Sequence, residues 1–287
     1  MGVLLLFGSS MAHQLESMLV KNYKHKYGDG GLLFNALMSL FALIYFVVSD
    51  KDGFFFPQGI WGYGIMGAAL YAIGFYSVYI AMGCGSYALT NLLMSFTSVF
   101  TIGFGLIYLK EPATGITYFA IVLSFLSILL MNYKKDENAS GNLVTPKWLL
   151  CMLLGITSNG ILTILSRLQQ IHFENQCTNE YLIISLSGSF IALLVAGITK
   201  DRKNLANISK YGVFTGAVAG ILNGVGNYIR IQSYLYIPIM LAAPIESGMK
   251  IVLTFVIAFL IYKEKLTKTQ MLGAGLSGVA LILLNIK

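Results

Sequence analysis

The chain has 287 residues, 56% apolar and 11% charged, with a formal net charge of +7 and a mean hydropathy of +0.74. An ordinary soluble domain carries about 25% charged residues, so this composition excludes a water-soluble globular protein. The apolar residues come in runs of about 18 to 25, the length that crosses hydrocarbon about 30 Å thick. These runs lack the alternation of a barrel strand and predict an all-α membrane protein.

In chain order the first half is expected to form helices at 2–20, 31–49, 59–82, 86–109 and 114–132. The first run carries His13, Gln14 and Glu16 and has no basic leader, so it reads as a retained helix rather than a secretion signal. After the polar stretch YKKDENASGN come expected helices at 147–169, 180–199, 211–235, 238–262 and 268–286. Ten transmembrane helices result, divided into an N-terminal unit (1–132), a linker (133–146) and a C-terminal unit (147–287).

The halves are related in sequence. A shift of 153 positions lays YLKEPATGITYFAIVLSFLSILLMNYK on IYKEKLTKTQMLGAGLSGVALILLNIK without a gap. Lys110/Lys263, Glu111/Glu264, Thr114/Thr267, Ser124/Ser277 and Asn132/Asn285 coincide, and the register continues back to Gly67/Gly220. An odd number of helices in each half sends the second into the membrane from the opposite side, which makes an inverted repeat of the transporter type.

The segments Ser95–Thr114 (SFTSVFTIGFGLIYLKEPAT) and Lys250–Thr267 (KIVLTFVIAFLIYKEKLT) resemble the end of the fourth helix in each half of the drug/metabolite transporter superfamily, EamA-like branch. Ser98 stands where that family usually has a proline. The resemblance spans essentially the whole chain. It implies a ten-helix transporter with a substrate cavity lined mainly by helices 1, 3, 4, 6, 8 and 9. Glu111 and Glu264 read as signals of a helix end rather than substrate ligands.

A charge inside a membrane helix costs about 2.5–3.5 kcal/mol and normally faces a cavity or a partner. Glu246 and Lys250 share a face of the expected ninth helix, beside Pro244 and Gly248. Lys250 is a candidate for a substrate carboxylate or phosphate and Glu246 for an amine or proton; the alternative is a self-neutralised pair that locks the helix. Asn223, Asn227 and Arg230 form one polar stripe on the eighth helix, with snorkelling to the interface the alternative for Arg230. His13 and Glu16 share a face of the first helix and are the proton-coupling candidates, against an alternative in which Glu16 pairs with Lys21. Asn91 and Asn159 add neutral hydrogen-bonding groups. Tyr79, with Tyr71, Phe75 and Tyr76, adds aromatic faces that pack or hold a cationic or flat substrate.

The expected function is secondary active transport of a small polar metabolite, an amino acid or other carboxylate-bearing compound, by alternating access. Export of amphipathic organic cations or drugs is the alternative, and an intramembrane enzyme acting on lipid-linked substrates a remote one. Cys84, Cys151 and Cys177 are isolated, so no metal site is expected, and no cofactor; GxxxxGK[ST] is absent, so no ATP machinery is expected. The expected partners are the substrate, membrane lipid and a coupling proton or exchange substrate, with no nucleic acid, in a monomer or homodimer of the bacterial cytoplasmic membrane. Lys and Arg crowd the loops after helices 1, 5, 7 and 9, which places the termini outside by the positive-inside tendency; the family resemblance more often implies the reverse.

Overall fold

The computed structural model describes residues 1–27, 30–49, 53–85, 87–132, 145–204, 208–261, 263 and 268–284. All regular structure among these residues is helical: α1 (Gly2–Tyr27), α2 (Gly31–Ser49), α3 (Ile60–Cys84), α4 (Tyr87–Met94), α5 (Thr97–Gly103), α6 (Gly115–Asn132), α7 (Pro146–His172), α8 (Thr178–Lys200), α9 (Val213–Ser233), α10 (Ile239–Leu260) and α11 (Lys268–Leu284), with short 3₁₀ and π turns between. Six of them, α1, α2, α3, α7, α8 and α10, are long and apolar enough to cross a membrane. The surface carries large exposed hydrophobic side chains such as Phe214, Ile107 and Val48, as lipid-facing helices require. Glu264 and the stretch 133–144 lie outside the described residues.

Local chemistry explains several boundaries. Thr145 caps α7, its Oγ1 accepting from the Trp148 backbone N–H at 3.1 Å, and Pro146 occupies the first turn, where its missing N–H costs nothing. The first helix runs seven residues beyond the expected Val20. Its basic last turns are held by aromatic contacts: Tyr23 stacks on Phe34 with ring centroids 4.2 Å apart, and Tyr27 on Tyr211 at 4.7 Å. Lys24 places its ammonium 4.9 Å from the Tyr79 ring centroid.

The expected continuous helix 86–109 is instead broken. Between α4 and α5 the backbone bonds tighten to three-residue spacing, from Phe96 to Leu93, Ser98 to Ser95 and Val99 to Phe96. The hydroxyls of Thr97, Ser98 and Thr101 each donate to the carbonyl three residues back, at 2.7–2.9 Å. Those side chains compete with the helical ladder, which an apolar-run reading does not see. Beyond α5 the chain widens into a π turn, Phe104–Tyr108. It then reverses through Lys110, which sits at φ +50°; Lys263 has the same positive φ.

The packing is reciprocal. α1 lies along α9 and α7 along α3; α2 packs on α9 and α8 on α3. α2 and α8 also meet directly, with the Ser39 and Ser189 hydroxyls 3.2 Å apart. α6 pairs with α11, and α10 touches α1, α4, α5 and α11. The largest buried core cluster draws on residues of both halves of the sequence, among them Leu6, Phe46, Ile102, Leu162, Tyr181 and Met240.

Candidate functional site

Between α1, α2, α3, α4, α5, α7, α9 and α10 lies a cavity of about 130 Å³. Its wall includes His13, Glu16, Tyr79, Asn91, Asn159, Asn223, Asn227, Arg230, Glu246 and Lys250, so these ten candidates reach the same void; of the aromatic residues named with Tyr79, Tyr71 and Phe75 line it and Tyr76 does not.

The α1 side is held by contacts made across the helix interfaces. Glu16 accepts from Asn223 Nδ2 at 3.0 and 3.1 Å through its two oxygens, and its Oε2 lies 3.1 Å from His13 Nδ1. The His13 ring sits over Gly226, where an added Cβ would come within 3.0 Å of Nε2; glycine there is what lets α9 approach so closely. Gln14 faces the other way, accepting from the Tyr87 hydroxyl at 2.6 Å and donating to the Lys250 carbonyl at 3.4 Å.

Along α9 the polar stripe is continuous. Arg230 donates to Asn227 Oδ1 at 2.5 Å, and Asn227 Nδ2 donates to Asn223 Oδ1 at 2.9 Å. Arg230 lines the cavity rather than snorkelling to an interface. Among the described residues no carboxylate lies within ion-pair distance of its guanidinium, and its Nε is buried without a partner.

On α10, Lys250 Nζ meets Glu246 Oε1 at 2.7 Å, and Ser9 Oγ donates to the same oxygen at 3.3 Å. The pair is self-neutralised and also faces the void: the Lys250 side chain is 24% exposed and that of Glu246 8%. Pro244 stands within α10 two residues before Glu246, where its ring removes one helical hydrogen bond.

The neutral asparagines of the other wall serve their own helices. Asn91 Nδ2 donates to the Tyr87 carbonyl at 3.1 Å and Asn159 Nδ2 to that of Gly155 at 2.8 Å. Tyr71 and Phe75, with centroids 5.4 Å apart, form an aromatic wall on α3.

Asn35, Ser98, Thr101, Thr163 and Ser247 also line the cavity and were not singled out in the sequence. Asn35 had a legible signal, a lone amide inside the apolar run GLLFNALMS. The hydroxyls did not, since Ser and Thr are common in membrane helices as donors to their own backbone.

Glu111 stands apart from the cavity and acts as a helix end signal for another helix. Its two carboxylate oxygens accept from the backbone N–H groups of Ile239 and Met240, at 3.1 and 2.8 Å, capping the start of α10. Gly105 makes room, since a Cβ there would meet Glu111 Oε2 at 2.8 Å and Met240 at 2.9 Å.

Sequence comparison matches residues 1–133 and 146–286 to the EamA-like transporter family. A curated relative, Protein LicB of Haemophilus influenzae, is 38% identical over 100 residues, 34% of this chain and 33% of LicB, so the alignment spans about a third of that protein's length. A solved crystal structure of a protein superposes with a TM-score of 0.70 over 99% of this chain and 96% of its own length, at 10% identity, a likeness of fold.

Proposed function

Because this chain belongs to the EamA-like transporter family, we propose that it is a secondary active transporter moving a small carboxylate-bearing metabolite of the amino-acid class by alternating access. Its ten membrane passes form two inverted five-helix repeats, 1–132 and 147–287. Three observations support that architecture. The family match falls in two segments, one per half; Lys110 and Lys263, 153 positions apart, share the same positive φ; and the helix pairs α1–α9 and α7–α3 exchange roles between halves. Two related bundles around one central void are what alternating access needs.

The observation that carries the substrate class is Arg230: a guanidinium facing the cavity with no carboxylate in ion-pair contact among the described residues. A guanidinium fork binds a carboxylate through two parallel hydrogen bonds. Lys250 keeps donors beyond the one spent on Glu246 and supplies a second contact. Glu16, beside His13, carries the coupling proton, and Asn223, Asn227 and Glu246 frame the polar wall. The second reading, an amphipathic cation held against Tyr71 and Phe75 with Glu16 as counter-charge, rests on the aromatic wall.

Uptake into proteoliposomes of alanine, acetate and tetramethylammonium separates the two. We expect competition by alanine and acetate, with Arg230→Ala weakening apparent affinity about 10–100-fold, the worth of about 1.5–3 kcal/mol for hydrogen bonds to a charged group. Transport of tetramethylammonium alone, untouched by Arg230→Ala, overturns the carboxylate reading in favour of the cation.

A further inference from the structure

The chain Glu16–Asn223–Asn227–Arg230 has a direction. Arginine only donates, so Asn227 must turn Oδ1 toward Arg230, which points its Nδ2 at Asn223. An ionised carboxylate only accepts, so Asn223 must turn Nδ2 toward Glu16 and Oδ1 toward Asn227. The two charged ends, one on α1 and one on α9, impose the same orientation on both amides. Those two amides have their cavity-side atoms spent on one another and on the charged ends.

We infer that Asn223 and Asn227 are positioning residues forming a polarity relay that ties the charge state of Glu16 to the availability of Arg230. The relay rests on the reading of Arg230 as the substrate contact and Glu16 as the proton carrier. With Glu16 ionised, charge-assisted bonds hold both asparagines toward α1 and keep Arg230 engaged on Asn227. Neutral Glu16 no longer enforces that direction, since a bond to an uncharged acceptor is about half as strong. Asn227 is then held at its Nδ2 by the Asn223 backbone carbonyl, at 3.0 Å, without the charge-assisted pull from α1, and Arg230 exchanges Asn227 Oδ1 for a substrate carboxylate. The other groups whose charge bears on Glu16 are His13 on its own helix, Lys250 on α10 and Tyr71 on α3; none of them bonds either asparagine among the described residues. By linkage a carboxylate on Arg230 favours the protonated form of Glu16 to the same degree, so proton and substrate travel together.

The test reads Arg230 directly and needs no transported substrate. The full-length protein in detergent is labelled with phenylglyoxal, which modifies accessible guanidinium groups, and the rate at Arg230 is followed by peptide mass spectrometry with Arg167 as internal control. We expect Glu16→Gln to speed modification of Arg230 several-fold and leave Arg167 unchanged. In an Asn227→Ser background, which cuts the relay, Glu16→Gln adds nothing; Asn223→Ser cuts it one link earlier and serves the same purpose if the first variant does not fold. An unchanged rate in Glu16→Gln, or an equal acceleration in the cut backgrounds, overturns the relay. Protection of Arg230 by acetate reports separately on the substrate reading: no protection with the coupling intact removes the carboxylate and leaves the relay standing.

Discussion

The α1–α9 and α3–α7 interfaces pack in matching ways with opposite chemistry. In both, glycines let the helices approach: Gly226 receives the His13 ring, and Gly74 faces Asn159 and Ser158. Yet α3 holds no Asp, Glu, Lys, Arg or His from Ile60 to Cys84, and Asn159, Thr163 and Ser166 on α7 donate to their own helix. Across α1–α9 a carboxylate–amide bond passes from one helix to the other, Glu16 to Asn223, and the line continues along α9 through Asn227 to the Arg230 guanidinium. The α3–α7 contact shows that this helix geometry packs with no charged side chain on one of its two helices. The charges of α1 and α9 go beyond what such an interface needs to pack, and they border the cavity.

The largest structural effect expected from breaking this asymmetry is at Lys250. Lys250→Ala leaves the Glu246 carboxylate buried with Ser9 as its one side-chain partner among the described residues, and losing one member of a buried pair destabilises by about 3–5 kcal/mol. Thermal unfolding in detergent should show a clear drop in midpoint, largely restored in the double variant Lys250→Met, Glu246→Leu. A stable single variant would mean that the pair does not hold α10.

Glu111→Ala ranks next. It strips two charge-assisted contacts from the first turn of α10, a loss of about 1–2 kcal/mol on the scale of a helix cap, readable as a smaller midpoint shift with substrate affinity unchanged. The smallest effect is expected at Asn159, whose amide is satisfied by the Gly155 carbonyl. Asn159→Ala should change apparent affinity less than about fivefold, because an own-backbone bond contributes only about 1 kcal/mol; a loss as deep as that of Arg230→Ala would erase the contrast between the interfaces.

Much of this was legible in the sequence because lipid makes the rules strict. Apolar runs located most helices to within a few residues, and His13, Glu16, Arg230, Glu246 and Lys250, ionisable residues inside those runs, line the void, whereas Arg167 does not. What stayed hidden was pairing. That Glu16 would choose Asn223, 207 positions away, and that Glu111 would cap α10 rather than mark the end of its own helix, depend on which helices become neighbours, which periodicity does not encode. The break between α4 and α5 was invisible for a different reason: hydroxyl competition with the backbone leaves the hydropathy of the run unchanged.

The charged seam joining α1 and α9 is proposed to couple a proton to substrate movement. It is tested most directly by imposing a pH gradient, acidic outside, on proteoliposomes and following accumulation of labelled alanine. Proton coupling through Glu16 requires uphill accumulation by the native protein, and in Glu16→Gln mere equilibration that ignores the gradient; accumulation by Glu16→Gln equal to that of the native protein rules the coupling out.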